Sequence, residues 1–132
     1  MKIVLSGRIQ GGKNDASVWL SKFNDAYSRK LGMPVFPGSL NVALDESFDW
    51  FMPQWNSRII WFGREEYGGE RDILLLPCML PHQESRRAFL WTTITAARDR
   101  PDPWVIELVT DIGLRQTYGL RDGDVMTIEL DV

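Results

Sequence analysis

The sequence predicts a mainly β domain: a small closed six-stranded barrel with one main inserted helix and a short helix near the C-terminus. Three observations carry this expectation. Short runs of strand character recur along the chain, whereas only one long stretch shows helical spacing. Strands do not alternate regularly with helices, which disfavours a doubly wound sheet. Closing such a sheet on itself removes its exposed strand edges. The 132 residues are expected to form one domain, 1–132, with no linker, repeat or low-complexity tract.

The elements follow in order. Lys2 to Ser6 reads as a first strand and runs into a glycine-rich turn, Gly7-Arg8-Ile9-Gln10-Gly11-Gly12. The main helix comes next, with Asn14 or Asp15 as its N-cap. Leu20, Phe23, Tyr27 and Leu31 form its apolar stripe. Gly32 suits a left-handed cap, and Pro34 stops continuation. After the Pro37-Gly38 turn, Leu40, Val42 and Leu44 share one strand face, while Ser39 and Asn41 share the other. Ser57 to Phe62, Arg71 to Met79 and Ala88 to Ala96 are further strands, with a turn at Tyr67-Gly68-Gly69-Glu70. A charged loop, Arg98 to Pro103, leads to a strand from Trp104 to Val109 that contains Glu107. Leu114 to Tyr118 suits a short helix closed by Gly119. Asp122-Gly123 turns the chain into a final strand, Asp124 to Val132, with Met126, Ile128, Leu130 and Val132 facing inward.

Composition narrows the function. Hydrophobic residues make up 44% and charged residues 25%, an ordinary globular balance. The net charge of −3 supplies no basic footprint, so nucleic acid is not an expected partner. The sequence has one Cys and one His, which excludes an internal disulfide and a cysteine- or histidine-rich metal cage. Any metal is then a hard cation held by oxygens, such as Mg2+. The N-terminal apolar run is too short for a signal peptide or a membrane span, which leads to the expectation of a cytoplasmic protein without a membrane partner. A monomer is expected.

Several residues are candidates for chemistry. Glycines between a strand and a helix let backbone N–H groups approach phosphate oxygens, and Lys13 beside them is a candidate neutralising cation. By spacing alone, a plain strand-to-helix turn is the better reading of Gly7 to Gly12. A hydroxyl at Ser39 and an amide at Asn41 can fill two positions of an octahedral Mg2+ site. By spacing alone, a solvated polar face wins there too. Glu107 lies in an apolar run. It is either a desolvated base with a raised pKa or the outward half of an alternating strand. His82 reads as a surface residue and Cys78 as a small buried hydrophobe. Trp50, Trp55 and Trp61 crowd the middle, where core packing or stacking on a flat ring would use them.

Taken together, the pieces resemble one family. Ser6-Gly7, Pro37-Gly38-Ser39-Leu40-Asn41-Val42, Tyr67-Gly68-Gly69, Val105-Ile106-Glu107, Leu114-Arg115 and Gly119-Leu120-Arg121-Asp122-Gly123-Asp124 run in the order seen in the archaeal CTP-dependent riboflavin kinases. The resemblance covers nearly the whole chain, and Pro-Gly-Ser-Leu-Asn is its most specific part. It implies a cradle-loop (RIFT-like) barrel, CTP as donor, riboflavin as acceptor, and CDP and FMN as products. It places nucleotide contacts at Gly7, Arg8, Ile9, Gln10, Gly11, Gly12, Ile112, Gly113, Leu114 and Arg115. It places Mg2+ on Ser39 and Asn41 and flavin contacts on Thr95 and Glu107; the chemistry of phosphoryl transfer then gives Glu107 the catalytic role, orienting the ribityl hydroxyl and taking its proton. Ser39 stands where the family carries Thr, which keeps the hydroxyl. The alternative is a non-catalytic nucleotide- or flavin-binding module on the same barrel. A DNA-binding dimer is disfavoured by the acidic charge and the missing basic arm.

Overall fold

The computed structural model describes residues 2–12, 15–96 and 98–131. The chain order is β1 (Lys2–Gln10), α1 (Asp15–Lys22), α2 (Asn24–Leu31), β2 (Leu40–Leu44), α3 (Pro53–Asn56), β3 (Ile60–Phe62), α4 (Arg64–Tyr67), β4 (Asp72–Leu80), β5 (Arg86–Ile94), β6 (Val105–Val109), α5 (Leu114–Tyr118) and β7 (Val125–Asp131). Sheet order is β3-β4-β5-β6-β2-β1-β7, and a further β4–β7 pairing closes the ring. Six antiparallel strands thus make the barrel, and β3 is an extra edge strand on β4.

Alternation along the strands sorts the side chains into two clusters. Inside the barrel, Ile9, Leu40, Val42, Leu74, Leu76, Leu90, Ile106, Leu108, Met126, Ile128 and Leu130 pack together, as the expected inner face of the last strand requires. Outside it, α1 and α2 cover the opposite face of β4, β5 and β6, where Leu20, Tyr27 and Leu31 meet Ile73, Leu75, Phe89, Trp91 and Val109. Val132, expected on the inner face, lies outside the described residues, as do Lys13, Asn14 and the side chain of Asp15; Asp15 is the first residue of α1, and no N-cap contact is described.

The expected single helix is two. Phe23 leaves the helical region at φ −116° and ψ 29°, although N–H to C=O bonds from Phe23 to Trp19 (2.9 Å) and from Tyr27 to Phe23 (3.0 Å) carry across the break. The Phe23 ring stacks on Trp19 and meets Tyr67 edge-on, so packing holds it in that bend. Gly32 caps α2 in the left-handed conformation at φ 68°, as expected.

The first strand runs four residues into the expected turn. Gly7, Arg8, Ile9 and Gln10 all pair with β2, and Gly7 and Arg8 also pair with β7. Gly7 serves close packing there, because a Cβ would lie 2.3 Å from the Ala43 carbonyl oxygen. Two one-turn helices, α3 and α4, occupy parts of the middle to which the sequence assigned no element, apart from Tyr67 of the expected turn; Pro53 opens α3 at a position where proline fits.

Candidate active site at the junction of two cavities

Strand register decides what meets Glu107. On β6 it faces Asn41 of β2 on one side and Trp91 of β5 on the other. These three residues lie 50 and 16 positions from one another in sequence order, so only the sheet brings them together. Ser39, just before β2, donates its hydroxyl hydrogen to Glu107 Oε1 at 3.0 Å. The same oxygen accepts the Ala16 backbone N–H, in the first turn of α1, at 3.4 Å. Glu107 is half-buried, so its carboxylate is neither a solvated strand residue nor a sealed core group.

Asn41 is 6% exposed and one of the few buried polar residues described. Its amide packs directly on the glycine loop: a Cβ on Gly12 would fall 1.1 Å from Asn41 Nδ2. Glycine at this position therefore makes room for the amide.

Two cavities flank this group. The larger, about 720 Å³, is lined by Gln10, Gly11, Gly12, Asn41 and Glu107 among others. Its volume lies in the range of small-molecule sites, roughly 300–1,000 Å³. The smaller, about 220 Å³, is lined by Ser39, Ser17, Phe36, Gly113, Leu114 and Arg115 among others. Ser39 thus belongs to one cavity and Asn41 and Glu107 to the other, with the Ser39–Glu107 hydrogen bond joining them.

The remaining candidates are spread around this junction. Ile9 is a core side chain whose N–H is spent on the Asp124 carbonyl. Arg8 donates to the Gly123 carbonyl. Gly11 approaches Asp122 Oδ2 at 3.5 Å from its would-be Cβ, and Arg115 donates to both the Gln10 carbonyl and Asp122. The 112–115 segment and the glycine loop are thereby tied to each other through Arg115. Ile112 packs against the core, Gly113 precedes α5, and Leu114 is buried. Thr95 sits in the loop after β5, held by Asp99 and by Arg64, whereas Thr92 and Thr93 line the larger cavity. His82 is exposed, and Cys78 is buried, its thiol pKa pushed far up by desolvation.

Of the three clustered tryptophans, Trp50 lines the larger cavity, Trp55 lies in the barrel core stacked on Phe48, and Trp61 is half exposed on β3. Trp19, Trp91 and Arg71 also line that cavity. Sequence reasoning did not single them out. Trp19 was legible as a residue beside the helix stripe, but nothing in spacing shows that β5 and α1 bound the same space.

Comparison with known proteins identifies the family. A family model, CTP-dep_RFKase (domain of unknown function DUF120), matches residues 9–130. The chain belongs to this family. It is 29% identical to a riboflavin kinase of Methanospirillum hungatei, covering 97% of this chain and 58% of that protein. It is 22% identical to the riboflavin kinase of Staphylothermus marinus, covering 97% of this chain and 92% of that one. A third, from Methanothermobacter thermautotrophicus, is 29% identical over 84% of each. The chain spans little more than half the length of the Methanospirillum protein and of a similar one from Methanocella arvoryzae, at 58% and 57%. The cradle-loop barrel expected from the family resemblance matches the closed six-stranded ring.

No described helix is long and apolar enough to cross a membrane. Among the described residues, no group of three or more His, Cys, Asp and Glu side chains gathers as a metal site. The oxygen donors available beside Glu107 are a hydroxyl and an amide, a set that suits a hard cation sharing its shell with phosphate and water.

Proposed function

We propose that this protein is a CTP-dependent riboflavin kinase, moving the γ-phosphoryl group of CTP to the 5′-hydroxyl of riboflavin. Membership of the family supports the reaction class. The observation that carries the reading is the junction itself: Ser39 and Glu107, hydrogen-bonded at 3.0 Å, stand where the two cavities meet. The nucleotide is assigned to the smaller cavity, along Gly113, Leu114 and Arg115, with its phosphates reaching Gly11 and Gly12. Riboflavin is assigned to the larger cavity, with its ribityl chain directed at Glu107.

The chemistry follows from those places. Phosphoryl transfer needs alignment and charge neutralisation more than covalent help. The new bond joins the ribityl oxygen to the γ-phosphorus as the bond to the β-bridging oxygen breaks, giving FMN and CDP. Glu107 orients the hydroxyl and accepts its proton, which then passes to water. The α1 N–H and the Ser39 hydroxyl hold that carboxylate in place before substrate arrives. Mg2+ fits Ser39 and Asn41, with phosphate oxygens and water in its other positions, and when bound it would neutralise phosphate charge.

The test is direct. The protein is incubated with riboflavin, Mg2+ and either CTP or ATP, and flavins are separated by chromatography. FMN formed with CTP is the expected result. Folded protein that yields no FMN with either triphosphate overturns the kinase reading.

A further inference from the structure

Three indoles line the larger cavity, and each is held by an aromatic residue that does not. Trp19 of α1 stacks on Phe23 with centroids 5.7 Å apart and planes at 17°. Trp50, in the segment after β2, meets Phe48 edge-on at 5.8 Å. Trp91 of β5 donates its Nε1 hydrogen to the buried Tyr27 hydroxyl at 2.9 Å. Trp50 and Trp91 are only 2% and 4% exposed. Their positions are therefore fixed before any ligand enters, and the apolar walls come from three separate parts of the fold. Preformed aromatic walls suit a flat, conjugated ligand, whose burial needs no side-chain reordering.

One described cation lines the same cavity: Arg71. Its neighbour Arg64 is already committed, donating to both oxygens of Asp72 and to the Thr95 carbonyl. Asp72 is thereby occupied. Among the described residues, no hydrogen bond or ion pair holds the Arg71 guanidinium. A guanidinium presents its N–H donors as a planar fork, which matches a ring edge carrying adjacent carbonyl acceptors.

We propose that Trp19, backed by the buried Trp50 and Trp91, forms the wall that receives the acceptor's tricyclic ring, and that Arg71 reads the carbonyl-bearing edge of that ring. The assignment rests on the riboflavin kinase reading for the identity of the ring. It makes Arg71 and the indoles specificity-determining residues: they select a planar, carbonyl-edged ring and leave the ribityl end to Glu107.

Lumiflavin isolates the ring, because it has a methyl group where riboflavin has the ribityl chain. Its binding is read by quenching of flavin fluorescence, which stacked indole causes. The expected result is that Arg71→Ala weakens lumiflavin and riboflavin by the same factor, about tenfold, the worth of a charged hydrogen bond. Trp19→Leu, at a half-buried position, relieves part of the quenching and weakens both ligands several-fold. Thermal melts and circular dichroism confirm that each variant is folded. Unchanged lumiflavin affinity in both variants overturns the ring assignment, and if the wild-type protein still forms FMN, the kinase reading stands without it. Absence of FMN together with lumiflavin binding that depends on Arg71 and Trp19 overturns the kinase reading and supports the ring site. Folded wild-type protein that binds no lumiflavin overturns the ring site.

Discussion

Asn41 shows how one missing methyl group can hold a site together. Its buried amide occupies the space over Gly12 that any side chain at that position would take, with only 1.1 Å between Nδ2 and an added Cβ. Gly12→Ala must therefore push Asn41 away from its place opposite Glu107. Gly12 itself is exposed, so the barrel core is untouched. The expected outcome is a protein with a nearly unchanged melting temperature and a turnover lower by about a hundredfold, the cost of displacing the proposed metal-holding amide by roughly 1 Å. Steady-state rates of FMN formation beside a thermal melt check both halves. An unchanged rate would mean that the position of Asn41 does not matter to turnover. The sequence showed Gly12 as a member of a glycine turn and Asn41 as a polar strand residue. That the two touch is invisible to spacing, because it depends on β1 and β2 pairing from Gly7↔Leu44 to Gln10↔Asn41.

At the scale of elements, periodicity carried most of the information. Strand β6, helix α5 and strand β7 lie within a residue or two of where alternation and turn residues put them. The sequence signals failed where tertiary packing overrides them: at Phe23, whose ring is claimed by Trp19 and Tyr67, and at α3 and α4, single turns too short to show a period. Helix α4 owes its place to Arg64, which donates its backbone N–H and its guanidinium to Asp72 on β4 and reaches on to the Thr95 carbonyl. The Arg64 side chain and its backbone N–H hold the Asp72 carboxyl below its usual range. The sign follows: a carboxyl depressed in the folded state stabilises above its unfolded pKa, and that contribution is lost as pH falls through the folded value. Melting temperature should thus fall more steeply from about pH 6 to about pH 3 in the wild-type protein than in Asp72→Asn, which has no carboxylate to protonate. Parallel slopes in the two proteins would show that this link does not contribute to acid stability.

Across the whole molecule the barrel is not equally closed. Nine register pairs join β4 to β5, and seven join β1 to β7. The β4–β7 seam that completes the ring has one, Met79↔Glu129, and side-chain packing supplies the rest. A seam with few backbone hydrogen bonds should be the first to part, because local opening follows the least-bonded contact rather than the global free energy. Cys78, next to Met79 on β4, reports on that event. Its side chain is 7% exposed, and burial pushes the thiol pKa far above its usual value, so the closed state offers a thiol reagent neither access nor thiolate. Labelling at about pH 8 therefore requires opening. The expected outcome is a labelling rate that climbs at urea concentrations below the unfolding midpoint, while amides of the β4–β5 ladder stay protected from hydrogen exchange. If labelling instead tracks the loss of circular dichroism, the seam opens only with the whole barrel. Packing by Leu80, Met126, Ile128 and Leu130 would then close the ring as firmly as its backbone ladders do.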